Sequence, residues 1–175
     1  GEFVLDPSSV ILTSSAINVD PAVIVEILIL CILVVLSAFF SSAETAFSTA
    51  NQIRIRSLAE EGNKKAASVI KILENYGKLI STILIGNNIV NLSASALATT
   101  VAISLSTPSL QSLMTGLATG ILTVVVLMVG EIIPKTWANL NADRIVLFYA
   151  PIIRFLMIVL TPVIFIIDKF VCLCF

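Results

Sequence analysis

The basic residues of this 175-residue chain are confined to two blocks, Arg54 to Lys78 and Lys135 to Lys169. None occurs in the first 53 positions or between Lys78 and Lys135, and those gaps are filled mostly with Ile, Leu, Val, Ala and Ser. A helix needs about 20 mostly apolar residues to cross roughly 30 Å of hydrocarbon. Three stretches meet that length: Ala22 to Phe47, Leu79 to Leu105 and Leu113 to Pro134. The chain is 58% hydrophobic and only 12% charged, with a mean hydropathy of +1.08. Soluble domains run nearer half apolar and a quarter charged. The expected fold is therefore an all-α membrane protein with three transmembrane helices.

The charge blocks also orient it. Loops rich in Lys and Arg stay in the cytoplasm. This places residues 51–78 and the C-terminal tail inside, and the N-terminus and the Ser106 to Ser112 turn outside. Spans two and three then form an antiparallel hairpin. In the inner loop, Ala66, Val69, Ile70 and Leu73 recur at helical spacing, and Ile55, Leu58 and Ala59 make a shorter stripe before Gly62-Asn63, a helix stop. Two short amphipathic helices are expected at the cytoplasmic surface, their basic face solvated or turned to lipid headgroups. The tail carries Arg154, Pro151 and Pro162, and its clean apolar run, Phe155 to Ile167, has thirteen residues. That length favours a juxtamembrane helix over a fourth span. Gly1-Glu2-Phe3 reads as a cloning scar at the head of an extracellular segment 1–20, which lacks the basic region of a signal peptide. Residues 21–175 form the membrane domain.

Several function classes drop out. The chain has no histidine and three cysteines, a poor basis for a zinc or copper site. An intramembrane Ser-Lys protease would need a lysine at membrane depth, and the spans have none. No enzyme activity and no nucleic-acid partner are expected; the bilayer is.

The ionisable residue that stands out is Glu131, at the end of the uncharged run Leu113 to Val129. Burying a carboxylate in a membrane costs several kcal/mol, which makes such a residue a functional candidate. Lys135 could pair with it at i, i+4, but Lys135 follows Pro134 and can also extend towards the cytoplasm. The other spans offer neutral oxygens. Ser37 and Ser41 share a helix face, with Ser48 further along; Asn87 and Asn91 share another, bordered by Asn88 and extended by Ser95. Gly86 and Gly130 precede Asn87 and Glu131, where backbone could approach a ligand or open a carbonyl. Hard oxygen ligands around one carboxylate suit Mg²⁺, Ca²⁺ or Na⁺. Glu44, near the cytoplasmic end of the first span, reads as an interfacial residue or as a capping or gate residue, and Glu26, near the other end, as interfacial.

Three ordered stretches, "SAFFSSAETAFSTANQIRIRSLAEEGNKKA", "LIGNNIVN" and "GEIIPK", resemble the transmembrane domain of the CNNM/CorC family of magnesium transport proteins. The resemblance runs from about Ala22 through the tail. It implies a homodimer of three-span subunits in the plasma membrane, with Mg²⁺ held inside the membrane. The implied ligands are Ser37, Ser41, Asn87, Asn91, the Gly130 carbonyl and Glu131. It also implies Mg²⁺ export with Na⁺ as coupling ion, and a cytoplasmic CBS-domain pair beyond the region seen here. The other class of function is a membrane scaffold that senses Mg²⁺ or dimerises to regulate another carrier. Small residues at four-residue spacing, Ala94 and Ala98 in span two and Gly116 and Gly120 in span three, allow close helix approach at a dimer contact.

Overall fold

The computed structural model describes residues 21–105 and 111–174. The expected outer segment 1–20 and most of the Ser106 to Ser112 turn lie outside the described residues. All regular elements among those described are helical. Three helical stretches are long and apolar enough to cross a membrane, Pro21–Thr49, Tyr76–Ser104 and Ser112–Leu140. They lie at the positions expected from the charge-free runs.

Helix α1 (Pro21–Thr49) starts at a proline, whose fixed φ and missing N–H suit the first helical position. Its partner α4 (Tyr76–Ser104) runs antiparallel to it. Ser48 meets Tyr76, Phe40 meets Gly86 and Ser37 meets Asn87, so the paired residue numbers fall on one helix as they rise on the other. Gly86 makes this seam close. A Cβ there would stand 2.5 Å from the ring of Phe40, which is itself buried.

Two short helices follow α1. Helix α2 (Gln52–Glu60) is capped by Asn51, whose side chain accepts from the N–H groups of Ile53 and Arg54. Gly62, with φ of +92°, turns the chain in the left-handed conformation that only glycine adopts cheaply. Asn63 then caps α3 (Lys64–Leu73) in the same way. The Gly62-Asn63 stop is thus where the sequence puts it. The apolar stripe of α3 faces protein: Ala66, Val69 and Ile72 are buried, with Ile70 and Leu73 packed against the same core.

The cover is α7 (Ala142–Val159), which folds back over α1, α3 and α4. The expected apolar stripe therefore packs on the chain's own tail, which sequence periodicity cannot identify as its partner. Asp143, near the start of α7, accepts from the Asn51 N–H at 2.9 Å and pairs with Arg54 at 3.2 Å. The tail is two helices, α7 and α8 (Thr161–Cys174), rather than one. At 14 residues α8 is about 21 Å long, too short to cross hydrocarbon.

The third membrane helix differs from expectation at its end. Pro134 does not terminate it. Helix α5 (Gln111–Val125) widens into a π-helical segment (Val126–Ile132) and continues as α6 (Ile133–Leu140). A proline ring clashes with the carbonyl four residues back, here that of Gly130. The N–H of Ile133 reaches five residues back to the Met128 carbonyl, and this widened turn lets the helix pass through the proline.

Burial is uneven. The core gathers at the charged end of the bundle, where Phe47, Ile55, Val69, Leu79, Val146 and Ile153 are nearly or wholly inaccessible. Towards the other end, Leu28, Ile32 and Val35 of α1 and Leu117, Ile121 and Val124 of α5 are exposed, as lipid-facing side chains must be.

Gly86→Ala should destabilise the protein by about 1–3 kcal/mol, because the added methyl must displace a buried ring. Gly77→Ala, whose Cβ would meet nothing within 4 Å, should be neutral or slightly stabilising. Thermal unfolding in detergent separates them; equal melting temperatures would contradict the tight seam.

Candidate functional site

Three elements meet at Ser37. Its side chain is 1% exposed on α1, and its hydroxyl donates to Asn87 Oδ1 on α4 at 3.4 Å. From the third side comes Gly130 of the π segment, buried, where a Cβ would stand 3.1 Å from Ser37 Oγ. Glycine lets the π segment approach α1 closely here; a methyl group would require Ser37 to give by a few tenths of an ångström.

The π segment also loosens the backbone. The Ile133 N–H is spent on Met128, Pro134 has none, and from Ile133 onwards the helix is again α. The carbonyls of Val129, Gly130 and Glu131 therefore have fewer in-helix donors than acceptors. Backbone oxygens short of donors seek a partner, and π-helical turns recur at functional sites.

Two further sequence candidates are buried and lack hydrogen-bond partners among the described residues. These are Ser41 Oγ, on a side chain 0% exposed, and Asn91 Oδ1. Hydroxyls in helices commonly bond the carbonyl four residues back, as Ser48, Thr49 and Thr82 do here. Ser41 does not. An unsatisfied buried polar atom costs about 1–3 kcal/mol. Because α1 and α4 are antiparallel, Ser41 lies one turn towards the charged end from the Ser37–Asn87 contact and Asn91 one turn the other way. The rise of the helix puts each about 6 Å from that level. The site is thus an oxygen-lined column along the seam, centred on Ser37, Asn87 and Gly130.

Glu131 follows Gly130 directly, and its side chain is 34% exposed. Lys135 Nζ lies 3.8 Å from Glu131 Oε1 and 3.3 Å from Glu44 Oε2 of α1. Because the helix continues through Pro134, Lys135 stays on the face of Glu131 instead of extending away. The carboxylate is offset by its own neighbour on the helix. Glu44 is part of this cluster too, which its interfacial position in sequence did not reveal.

Other polar residues fall outside the column. Ser48 is exposed and bonded to the Glu44 carbonyl and Tyr76 hydroxyl. Asn88 is exposed. Ser42, absent from the sequence candidates, is buried beside Ser41, where it donates to the Phe39 carbonyl and meets the Tyr149 hydroxyl at 3.2 Å. Nothing in the spacing of the first span signals that contact, since its partner is 107 positions away. Among the described residues no three His, Cys, Asp or Glu side chains come together. Any cation held here is held by neutral oxygens and at most one or two carboxylates, a donor set suited to hard cations.

The profile of the cyclin M transmembrane N-terminal domain, CNNM, matches residues 28–175. A UPF0053 protein of Haemophilus influenzae is 41% identical over 144 residues, which cover 82% of this chain and 33% of that protein. The UPF0053 inner membrane protein YfjD of Escherichia coli is 40% identical over 133 residues, covering 76% of this chain and 30% of the relative. The chain spans about a third of the length of these relatives. A shorter stretch of 65 residues, 37% of this chain and 14% of its counterpart, is 37% identical to the polyamine export protein of E. coli. The apolar spans make this a multi-pass membrane protein, and the profile match over most of its length shows that the chain belongs to the CNNM family of transmembrane domains.

Proposed function

We propose that this domain carries Mg²⁺ across the membrane, binding it on the α1/α4/π-segment seam. The observation that carries the reading is the pair of orphaned buried oxygens, Ser41 Oγ and Asn91 Oδ1, flanking the Ser37–Asn87–Gly130 contact. In a membrane interior such atoms need a partner, and a cation moving along the seam supplies one to each in turn. Ser37, Asn87, the Gly130 carbonyl and Glu131 form the central ligand group, with Ser41 and Asn91 as steps on either side. Mg²⁺ favours six oxygens and readily keeps some of its waters, so the protein need not supply all six. Export, with Na⁺ as the coupling ion, is the direction we favour.

A second reading has support of its own. The Lys135 ammonium sits between Glu44 and Glu131, so the same two carboxylates can receive an alkylammonium cargo, and one relative is named a polyamine export protein. Mg²⁺ is preferred because Ser37, Ser41, Asn87 and Asn91 along the seam offer neutral oxygens, donors suited to a hard cation.

The reading includes an orientation and an assembly. Residues 51–78 and the tail face the cytoplasm, as their basic residues require. Two copies pair through α5, where Gly116 and Gly120 are exposed and a Cβ at either would meet nothing within 4 Å. Ala94 and Ala98, by contrast, are buried within the subunit and are left out of the proposed dimer contact.

Three outcomes are expected. Glu131→Gln keeps size but removes the charge, and should weaken Mg²⁺ binding roughly tenfold to a hundredfold while the protein stays folded. Titration calorimetry with Mg²⁺ and with spermidine tests this: wild-type Mg²⁺ affinity in the folded variant would end the metal reading, and spermidine binding alone would favour the second. In a background without Cys31, Cys172 and Cys174, an impermeant thiol reagent outside whole cells should label Ser112→Cys and spare Glu60→Cys; the reverse pattern would invert the topology. Gly116→Leu should lower the crosslinked dimer fraction, and an unchanged fraction would exclude that face of α5.

A further inference from the structure

The Mg²⁺ reading leaves Lys135 unexplained, since a cation-binding carboxylate with an ammonium 3.8 Å away is already occupied. Lys135 is held from two sides, and its shorter contact, 3.3 Å, is to Glu44 on the neighbouring helix. All three side chains are partly exposed, at 45% for Glu44, 39% for Lys135 and 34% for Glu131, so the ammonium has room to shift between its partners. The two carboxylates and one ammonium sum to a single negative charge, which is neutral enough to rest at the edge of hydrocarbon. A dication arriving on Glu131 while Lys135 remained would place two cations on one carboxylate. Moving the ammonium wholly onto Glu44 avoids this without stranding either charge.

We propose that Lys135 is a tethered counter-ion that competes with the transported cation for Glu131, and that Glu44 is the position to which it withdraws. The inference rests on Glu131 being a cation ligand. Lys135 is on this view a regulator of affinity rather than a ligand: it keeps the empty site closed to stray cations and returns to Glu131 as the ion leaves. The geometry that permits it is the passage of the third helix through Pro134, which keeps Lys135 one turn from Glu131 and within reach of α1.

The test is Mg²⁺ titration calorimetry on the whole chain, with thermal unfolding to confirm that each variant is folded. Lys135→Met should bind Mg²⁺ about threefold to tenfold more tightly, the scale of a partly exposed ion pair. Lys135→Arg, which keeps the charge, should stay near wild type. Glu44→Gln should weaken binding, because Lys135 is then left to Glu131 alone. The decisive variant combines Glu44→Gln with Lys135→Met. If Glu44 acts by holding Lys135, the double variant matches Lys135→Met alone. If both residues act only through net charge, their effects add and it returns to near wild-type affinity, which would overturn the proposal. So would unchanged or weaker binding in folded Lys135→Met. Glu131→Gln separates the two layers of argument. Wild-type affinity there removes the metal reading and the competition with it, whereas lost affinity there with no gain in Lys135→Met removes the competition alone.

Discussion

The close contact of α1 with antiparallel α4 on one side and with the π segment, which runs parallel to it, on the other is the constraint on which the rest of the structure depends. A membrane offers no water to satisfy polar groups, so Ser37, Ser41, Asn87 and Asn91 can be accommodated only where protein covers them. Gly86 and Gly130 favour that cover, Gly86 by letting the Phe40 ring lie where a Cβ would otherwise sit and Gly130 by bringing the π segment close to Ser37. The seam is held by packing and by contacts such as Ser37–Asn87, and it leaves two oxygens unsatisfied. A purely structural seam would have little reason to keep them.

Stability and function are divided along the bundle. At the charged end, α2, α3 and α7 wrap the base of α1 and α4 in a core that includes Ile55, Val69, Leu79 and Ile153. A fully buried side chain of this kind contributes roughly 1.5–3 kcal/mol where the alternative is water. Asp143 ties the collar together through the Asn51 N–H and Arg54. At the other end the helices present Leu, Ile and Val outward, and packing among them is sparse. The oxygen column lies between these regions, on helices anchored at one end. Tyr149 of α7 reaches Ser42, next to Ser41, so the collar and the column share a contact.

The third helix shows how one irregularity serves several ends. A proline in a straight α-helix would kink or end it. The π segment absorbs Pro134, brings Gly130 against Ser37, leaves carbonyls short of donors and carries Lys135 back to Glu131 and Glu44. Each consequence follows from the extra residue in the turn.

Much of this was legible in residue order. The charge-free runs determined three membrane helices, because only a long apolar segment can cross hydrocarbon. Gly62-Asn63 marked the stop after the first short helix through one left-handed turn. Ser37 with Asn87 and Gly130 could be singled out because polar or backbone-permissive residues are costly in a span and so are conspicuous there. The depth at which these residues meet was decided by the tertiary structure. Helical spacing puts Ser41 with Ser37 and Asn91 with Asn87, but antiparallel packing sends the two partners in opposite directions along the seam. Likewise the cover over the stripe of α3 and the Lys135–Glu44 pair join elements far apart in sequence, and the passage through Pro134 depends on a register shift. Periodicity reports which face of a helix is apolar; only packing decides what that face meets.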